Sequence, residues 1–172
     1  MREIIRQIAC AVCRVMGGEQ PPTLEKYDEW VRAQVGEIPR QKMKWCELVA
    51  MLKAHNVEPM LSYPPDYNIH FTNEETLDKI VPFLTYPADF YIRELEIDCD
   101  DYARWAAADA RRIFHIQGVY EVWGNTPLGY HAWSLGIIAP DSFKMFEPNA
   151  GFEFAGVLFE AGDNKYLPEK WK

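Results

Sequence analysis

In the first half of the chain, apolar residues recur mostly every three or four positions, which is the spacing of one buried helix face. This pattern predicts four helices, at about residues 2–16, 24–35, 40–54 and 72–84. Thr23 is the candidate cap of the second helix, and the fourth opens on a Thr-Asn-Glu-Glu capping-box pattern. Residues 55–70 are rich in proline and aromatic side chains, and we predict an irregular but ordered loop there.

The second half of the chain changes to a two-residue alternation of apolar and polar positions, which is typical of strands. The clearest strand is residues 130–138. Its alternation places on one face His131, Trp133, Leu135 and Ile137. Residues 118–123 and 144–149 predict the strands before and after it, separated from it by a turn at 124–127 and by a Pro-Asp-Ser turn. Residues 157–159 predict an edge strand.

The stretch 98–110 lies between these two regions and predicts a buried helix. Its acidic start suits a helix N-terminus, where the macrodipole favours negative charge. Small side chains that let the helix approach a sheet closely recur at helical spacing, at Ala103, Ala106, Ala107 and Ala110. The sequence therefore predicts an α+β fold in which helices come first and a small antiparallel sheet comes last, with this helix packed on the sheet. We predict a single domain over 1–172, with a mainly helical support region over 1–94 and a core over 95–160.

Composition excludes some partners. The 172 residues are 48% apolar and 14% aromatic, which indicates a globular protein. A net charge of −8 disfavours binding to nucleic acid or to an anionic membrane surface, because both require basic patches. The sequence shows neither a secretory signal nor an apolar run that could cross a bilayer, so we expect a cytoplasmic protein.

In a reducing cytoplasm the cysteines stay thiols. Export by another route would allow a Cys10–Cys13 or a Cys13–Cys46 disulfide. A zinc site built from these cysteines with His55 is disfavoured, since their spacing does not form two closed ligand pairs. We therefore predict no metal and no cofactor.

Cys99 stands at the first turn of the predicted helix 98–110, where backbone N–H groups lack helical partners. Such groups stabilise a thiolate and an oxyanion that forms beside it. The alternative is a structural role, in which Cys99 is a small buried hydrophobe of a close-packed helix. His131 then opens a strand, and an acid or amide closes the next strand at Glu147 or Asn149. This is the order of a Cys-His-acid triad.

Three motifs carry a resemblance to a known family: Asp98-Cys99-Asp100-Asp101-Tyr102-Ala103, His131-Ala132-Trp133 and Phe146-Glu147-Pro148-Asn149. Together they resemble the transglutaminase-like branch of the papain-type cysteine peptidase superfamily. The resemblance covers about residues 97–151. It implies a papain-like core at the end of the chain and a thiol hydrolase or acyltransferase that acts on peptide or protein amide bonds.

The resemblance also implies roles for the matched residues. Cys99 would attack the carbonyl carbon to form a thioester, and His131 would act as the general base. Glu147 would orient the imidazole, with Asn149 as the alternative third member. Glu147 departs from the family's more usual aspartate and requires a slightly more distant strand. The backbone N–H of Cys99 would supply one oxyanion donor.

The sequence leaves alternatives open for the roles of the other site residues. Tyr91 and Arg93 are the candidates for the second oxyanion donor, and Trp133 is either a substrate contact or a core residue. The three acids beside Cys99 would oppose a thiolate unless they face solvent or pair with Arg93, Arg104 or Lys144. We expect hydrolysis rather than transfer, and the alternative is a non-catalytic binding or structural protein on the same fold.

Overall fold

The computed structural model describes residues 23–61, 66–92 and 95–172. The helix predicted over 2–16 lies outside them, as do Cys10, Cys13 and Arg93. The chain divides into two compact units, Met1–Glu37 and Ile38–Lys172. None of the helices in the described parts has the length and apolar character that a bilayer span requires.

In the first unit, the described residues form helix α1, Leu24–Val35. The Thr23 side chain accepts a hydrogen bond from the backbone N–H of Lys26, at 3.4 Å, and so caps the helix as predicted. Gly36 ends it with a φ of 81°, a conformation that glycine adopts without strain.

The described residues of the second unit form three further helices and seven strands. The helices are α2 Trp45–Ala54, α3 Glu74–Ile80 and α4 Cys99–Phe114. The strands are β1 Gln41–Lys44, β2 Glu58–Pro59, β3 Asn68–Phe71, β4 Val119–Thr126, β5 Gly129–Ala139, β6 Ser142–Phe146 and β7 Leu167–Trp171. β1 and β3 form an antiparallel pair, and the others form a five-stranded sheet in the order β2-β7-β4-β5-β6. The α+β class is confirmed at this level.

Side chains cover both faces of the five-stranded sheet. On one face, Tyr120 of β4 belongs to a buried apolar cluster with Leu48 and Leu52 of α2. On the other face, Glu121 of β4 contacts Arg104 of α4, and α4 packs along β4 and β5. Residues 131–138 of β5 are therefore all buried, although their alternation predicts only one apolar face. The alanine stripe of α4 is fully buried at Ala103, Ala106 and Ala110.

Several predicted elements are corrected. The predicted helix 40–54 is a strand over Gln41–Lys44 and a helix only from Trp45. Among the four strand residues only Met43 is buried, and it pairs with Ile69 of β3. The predicted loop 55–70 therefore contains β2 and the start of β3. The fourth predicted helix ends at Ile80 and continues as a 3₁₀ turn over Val81–Leu84.

The sheet also differs from the prediction at its end. The predicted turn at 124–127 is shorter, since β4 continues to Thr126. Residues 157–159 form only a single bridge, from Phe159 to Met145, instead of an edge strand. β7, which has no clear alternation, lies between β4 and β2 and runs parallel to β2, so the sheet is mixed rather than antiparallel. Gly124 permits this insertion, because a Cβ atom there would lie 2.0 Å from the carbonyl oxygen of Leu167.

Candidate active site

Cys99 is the first residue of α4, and the acids around it fix this end of the helix. The side chain of Asp98 accepts from the backbone N–H of Asp100 at 3.4 Å, and the Asp101 carboxylate accepts from the backbone N–H of Asp98 at 3.2 Å. This reciprocal arrangement is a capping box. Cys99 is partly exposed and is a free thiol, as is Cys46 among the described residues.

His131 lies near the start of β5, and its ring joins two of the predicted partners. Its Nε2 atom is 3.0 Å from Oε2 of Glu147, just after β6, and both side chains are buried. The ring also interacts with the thiol of Cys99. The structure therefore brings together Cys99, His131 and Glu147 from one helix end and two strands.

The surroundings of His131 favour its protonated form. Burial lowers the pKa of the ring, but the contacts with Cys99 and Glu147 outweigh it and raise the pKa to about 9. Burial raises the pKa of Glu147, while the hydrogen bonds from His131 and Tyr166 act in the opposite direction. The raised pKa of His131 favours an imidazolium at neutral pH, which interacts with both Cys99 and Glu147.

The buried amide of Asn149, the alternative third member, is engaged elsewhere. Its Oδ1 atom accepts a hydrogen bond from the backbone N–H of Gly151 at 2.8 Å and closes the turn that follows β6. Backbone hydrogen bonds on either side of Asn149 join this turn to Tyr86. Glu147, and not Asn149, thus meets the imidazole.

Aromatic side chains enclose the His131–Glu147 pair. The ring of Phe152 stacks on the His131 ring with centroids 4.5 Å apart and planes at 17°. The hydroxyl of Tyr166 donates to Oε2 of Glu147 at 3.4 Å. The motifs do not indicate either residue, since Phe152 follows the last motif in a loop and Tyr166 lies near the end of the chain. His131 is only 7% exposed as a result.

Trp133 and Tyr91 are two of the predicted accessory residues, and the ring of Trp133 stacks on that of His131 with centroids 6.1 Å apart. Trp133 has an exposed fraction of 0% and donates from Nε1 to the sulfur of Met145 at 3.0 Å, so it is a core residue. Of the two alternatives predicted for Trp133, its burial supports the core role. Tyr91 is 43% exposed and follows the 3₁₀ turn Ala88–Phe90. Its role as an oxyanion donor or substrate contact stays a prediction.

Arg104, one turn after Cys99, neutralises the acids at the start of α4. Its guanidinium pairs with Asp100 and with Asp101, the latter at 3.4 Å. Its Nε atom also donates to Glu121 of β4 at 3.3 Å. The other oxygen of the buried Glu121 carboxylate accepts from the Trp123 indole at 2.6 Å. Of the predicted partners that lie in the described residues, Arg104 contacts these acids, while Lys144 pairs with Glu74 and Glu160.

Among the described residues, the three acids at the start of α4 are close enough together to hold a cation. Ligand atoms of Asp98, Asp100 and Asp101 lie within 4.8 Å of one another. Burial, followed by the hydrogen bond with Asp98, raises the pKa of Asp100 to about 6, although the charge of Arg104 lowers it. The guanidinium already supplies positive charge at this position, and the carboxylates serve as helix caps.

Comparisons with protein-family models, with curated proteins and with solved structures found no match.

Proposed function

We propose that the chain is a thiol-dependent hydrolase or acyltransferase that acts on amide bonds through Cys99, His131 and Glu147. The observation that carries the proposal is the position of the His131 ring, which interacts with the Cys99 thiol and with the Glu147 carboxylate. The proposed core is of the transglutaminase-like, papain type. Supporting this, α4 begins at the cysteine and packs on the antiparallel strands β4 and β5.

The reaction has two halves. In the first, Sγ of Cys99, as a thiolate, forms a bond to the amide carbonyl carbon. The C–N bond breaks, and the amine leaves with the proton of the His131 imidazolium. In the second, a water molecule or an amine gives a proton to His131 and attacks the thioester. The Sγ–C bond then breaks, and the thiolate and the imidazolium are restored.

Each neighbouring group has a part in these steps. Glu147 holds the ring in one orientation and stabilises the imidazolium, as the acid does in other triads. The first N–H groups of α4 lack partners within the helix, and that of Cys99 is a donor for the developing oxyanion. Arg104 offsets the charge of Asp100 and Asp101, which would otherwise oppose a thiolate. The chemistry requires a free thiol, which suits the reducing compartment predicted from the sequence.

Alkylation tests the activated thiol. The protein is treated at neutral pH with less than one equivalent of iodoacetamide, and the labelled peptides are counted by mass spectrometry. Cys46 is exposed and Cys99 is only partly exposed, so access alone favours Cys46. We expect Cys99 to be labelled faster than Cys46, and His131→Gln to remove the preference. Labelling in the order of exposure would favour the non-catalytic alternative.

Turnover then separates hydrolysis from transfer. A pooled peptide library is incubated with the protein, with and without a dansylated primary alkylamine. New peptide termini indicate hydrolysis, and dansylated peptides indicate transfer. Cys99→Ala is the matched control and should abolish both. Products that persist in Cys99→Ala would contradict the proposed nucleophile.

A further inference from the structure

A cavity of about 280 Å³ adjoins the candidate active site. It is bounded by the turn between β4 and β5, by the loop after β6 and by the 3₁₀ turn before β7. Its lining includes Pro127, Leu128, Phe152, Glu153, Asn164 and Tyr166. Two of these residues also contact the triad, since Phe152 stacks on His131 and Tyr166 donates to Glu147. The cavity and the site thus share a wall.

The size and chemistry of this cavity suit one amphipathic side chain. Its volume lies just below the range of about 300–1,000 Å³ that holds drug-sized ligands. Pro127, Leu128 and Phe152 give it apolar walls, and Leu128 is 82% exposed at the rim. Of the described residues that line it, Glu153 alone carries a charge.

The carboxylate of Glu153 interacts with two other residues that line the cavity, Asn164 and Tyr166. It accepts a hydrogen bond from the amide of Asn164, which fixes one of its oxygens. Burial, followed by the nearby carboxylates of Glu147 and Glu153, raises the pKa of Tyr166. The charge of Glu153 therefore acts on the hydroxyl of Tyr166, which donates to Glu147.

We propose that this cavity binds the side chain of a lysine or arginine on the leaving-amine side of the scissile amide, an assignment that rests on the proposed function. The aliphatic stem lies against Leu128 and Phe152, and the cationic end meets Glu153. The side of the scissile bond follows from His131, because this ring donates its proton to the leaving amine and is the triad member that Phe152 covers. The net charge of −8 also favours a cationic substrate.

Peptide cleavage tests the assignment. Peptide pools are randomised at every position except the first one after the scissile amide, which carries lysine or Nε-acetyl-lysine. We expect kcat/KM for the lysine pool to be about 3–5-fold higher at low salt, the size typical of an exposed ion pair, and the ratio to fall with added salt. Glu153→Gln should bring the ratio to about one, while it keeps the shape and the amide contact.

Glu169→Gln is the matched control. Glu169 also accepts a hydrogen bond from a surface amide, that of Asn125, but it does not line the cavity. This variant should retain the preference for lysine. Equal cleavage of both pools by the unmodified protein, or an unchanged ratio in Glu153→Gln, would overturn the assignment.

A binding measurement tests the cation site independently of the proposed reaction. Nα-acetyl-lysine methylamide and its Nε-acetylated form are titrated into Cys99→Ala protein and followed by amide NMR signals. The lysine probe should shift Gly151 and Glu153, and the Glu153→Gln substitution should remove these shifts. If neither pool is cleaved but the lysine probe binds here, the proposed function fails and the cation site stands. Equal shifts with both probes would refute the cation site itself.

Discussion

Replacing Glu147 by glutamine removes the negative charge beside His131 and keeps the size of the side chain. Burial lowers the pKa of the ring, and the contacts with Cys99 and Glu147 together raise it to about 9. Without the carboxylate, burial is opposed by Cys99 alone. We therefore expect the ring pKa in Glu147→Gln to fall to its ordinary value of about 6.5 or below.

The same change alters how stability depends on pH. A folded-state pKa of about 9 against 6.5 in the unfolded chain means that the folded protein binds this proton more tightly. The resulting stability is fully present below about pH 6.5 and is lost as the pH rises through about 9. The difference corresponds to at most about 3 kcal/mol. We expect Glu147→Gln to lack this loss.

Two measurements check the reasoning. The Cε1–H NMR signal of His131, assigned with the His131→Gln variant, gives the ring pKa between about pH 5 and pH 10. Urea unfolding over the same range gives the free energy of unfolding. Cys99→Ala is the matched variant, and it should lower the ring pKa without removing the effect of Glu147. A ring that titrates near 6.5 in the unmodified protein, or equally in Glu147→Gln, would refute the argument.

Three further substitutions test the scaffold of the site. Arg104→Met leaves the buried carboxylate of Glu121 without its cationic partner, so the free energy of unfolding should fall by about 1–3 kcal/mol. Alkylation of Cys99 should also slow, and alkylation rates equal to those of the unmodified protein would contradict the role of the guanidinium. Gly124→Ala places a Cβ atom 2.0 Å from the carbonyl oxygen of Leu167, and we expect a loss of about 2 kcal/mol or more in urea unfolding, with faster hydrogen exchange in β7. Tyr166→Phe removes one hydrogen bond to Glu147. The ring pKa of His131, read by NMR, should therefore change by less than it does in Glu147→Gln.

The sequence could predict that Cys99, His131 and Glu147 lie together, because each stands at a position with a local signal. Asp98 and the alanines fix where α4 begins and which face it buries. The strand alternation fixes where His131 lies in β5, and the Glu-Pro-Asn motif marks the end of β6. Glu147 rather than Asn149 meets the ring because the asparagine amide closes its own turn, a detail of loop geometry that spacing does not reveal.

The surroundings of the site were beyond prediction because they depend on contacts between distant segments. Tyr166 reaches Glu147 only when β7 inserts beside β4, and β7 shows no alternation that marks it as a strand. The sequence predicts a helix at β1 because Met43 fits a helical spacing, whereas the pairing of Met43 with Ile69 decides the strand. Tertiary pairing outweighs local propensity in such short segments.

The position of β7 has a consequence for the order in which the protein folds. Its pairing with β2 joins residue 58 to residue 170, so the entropy of closing a very long loop must be overcome before this contact forms. The β4–β5–β6 meander, with its neighbouring segments and short connections, closes far smaller loops. The chain should therefore form this meander early and dock its final strand late. Tyr166 and one wall of the cavity would then be the last parts of the site to come into place.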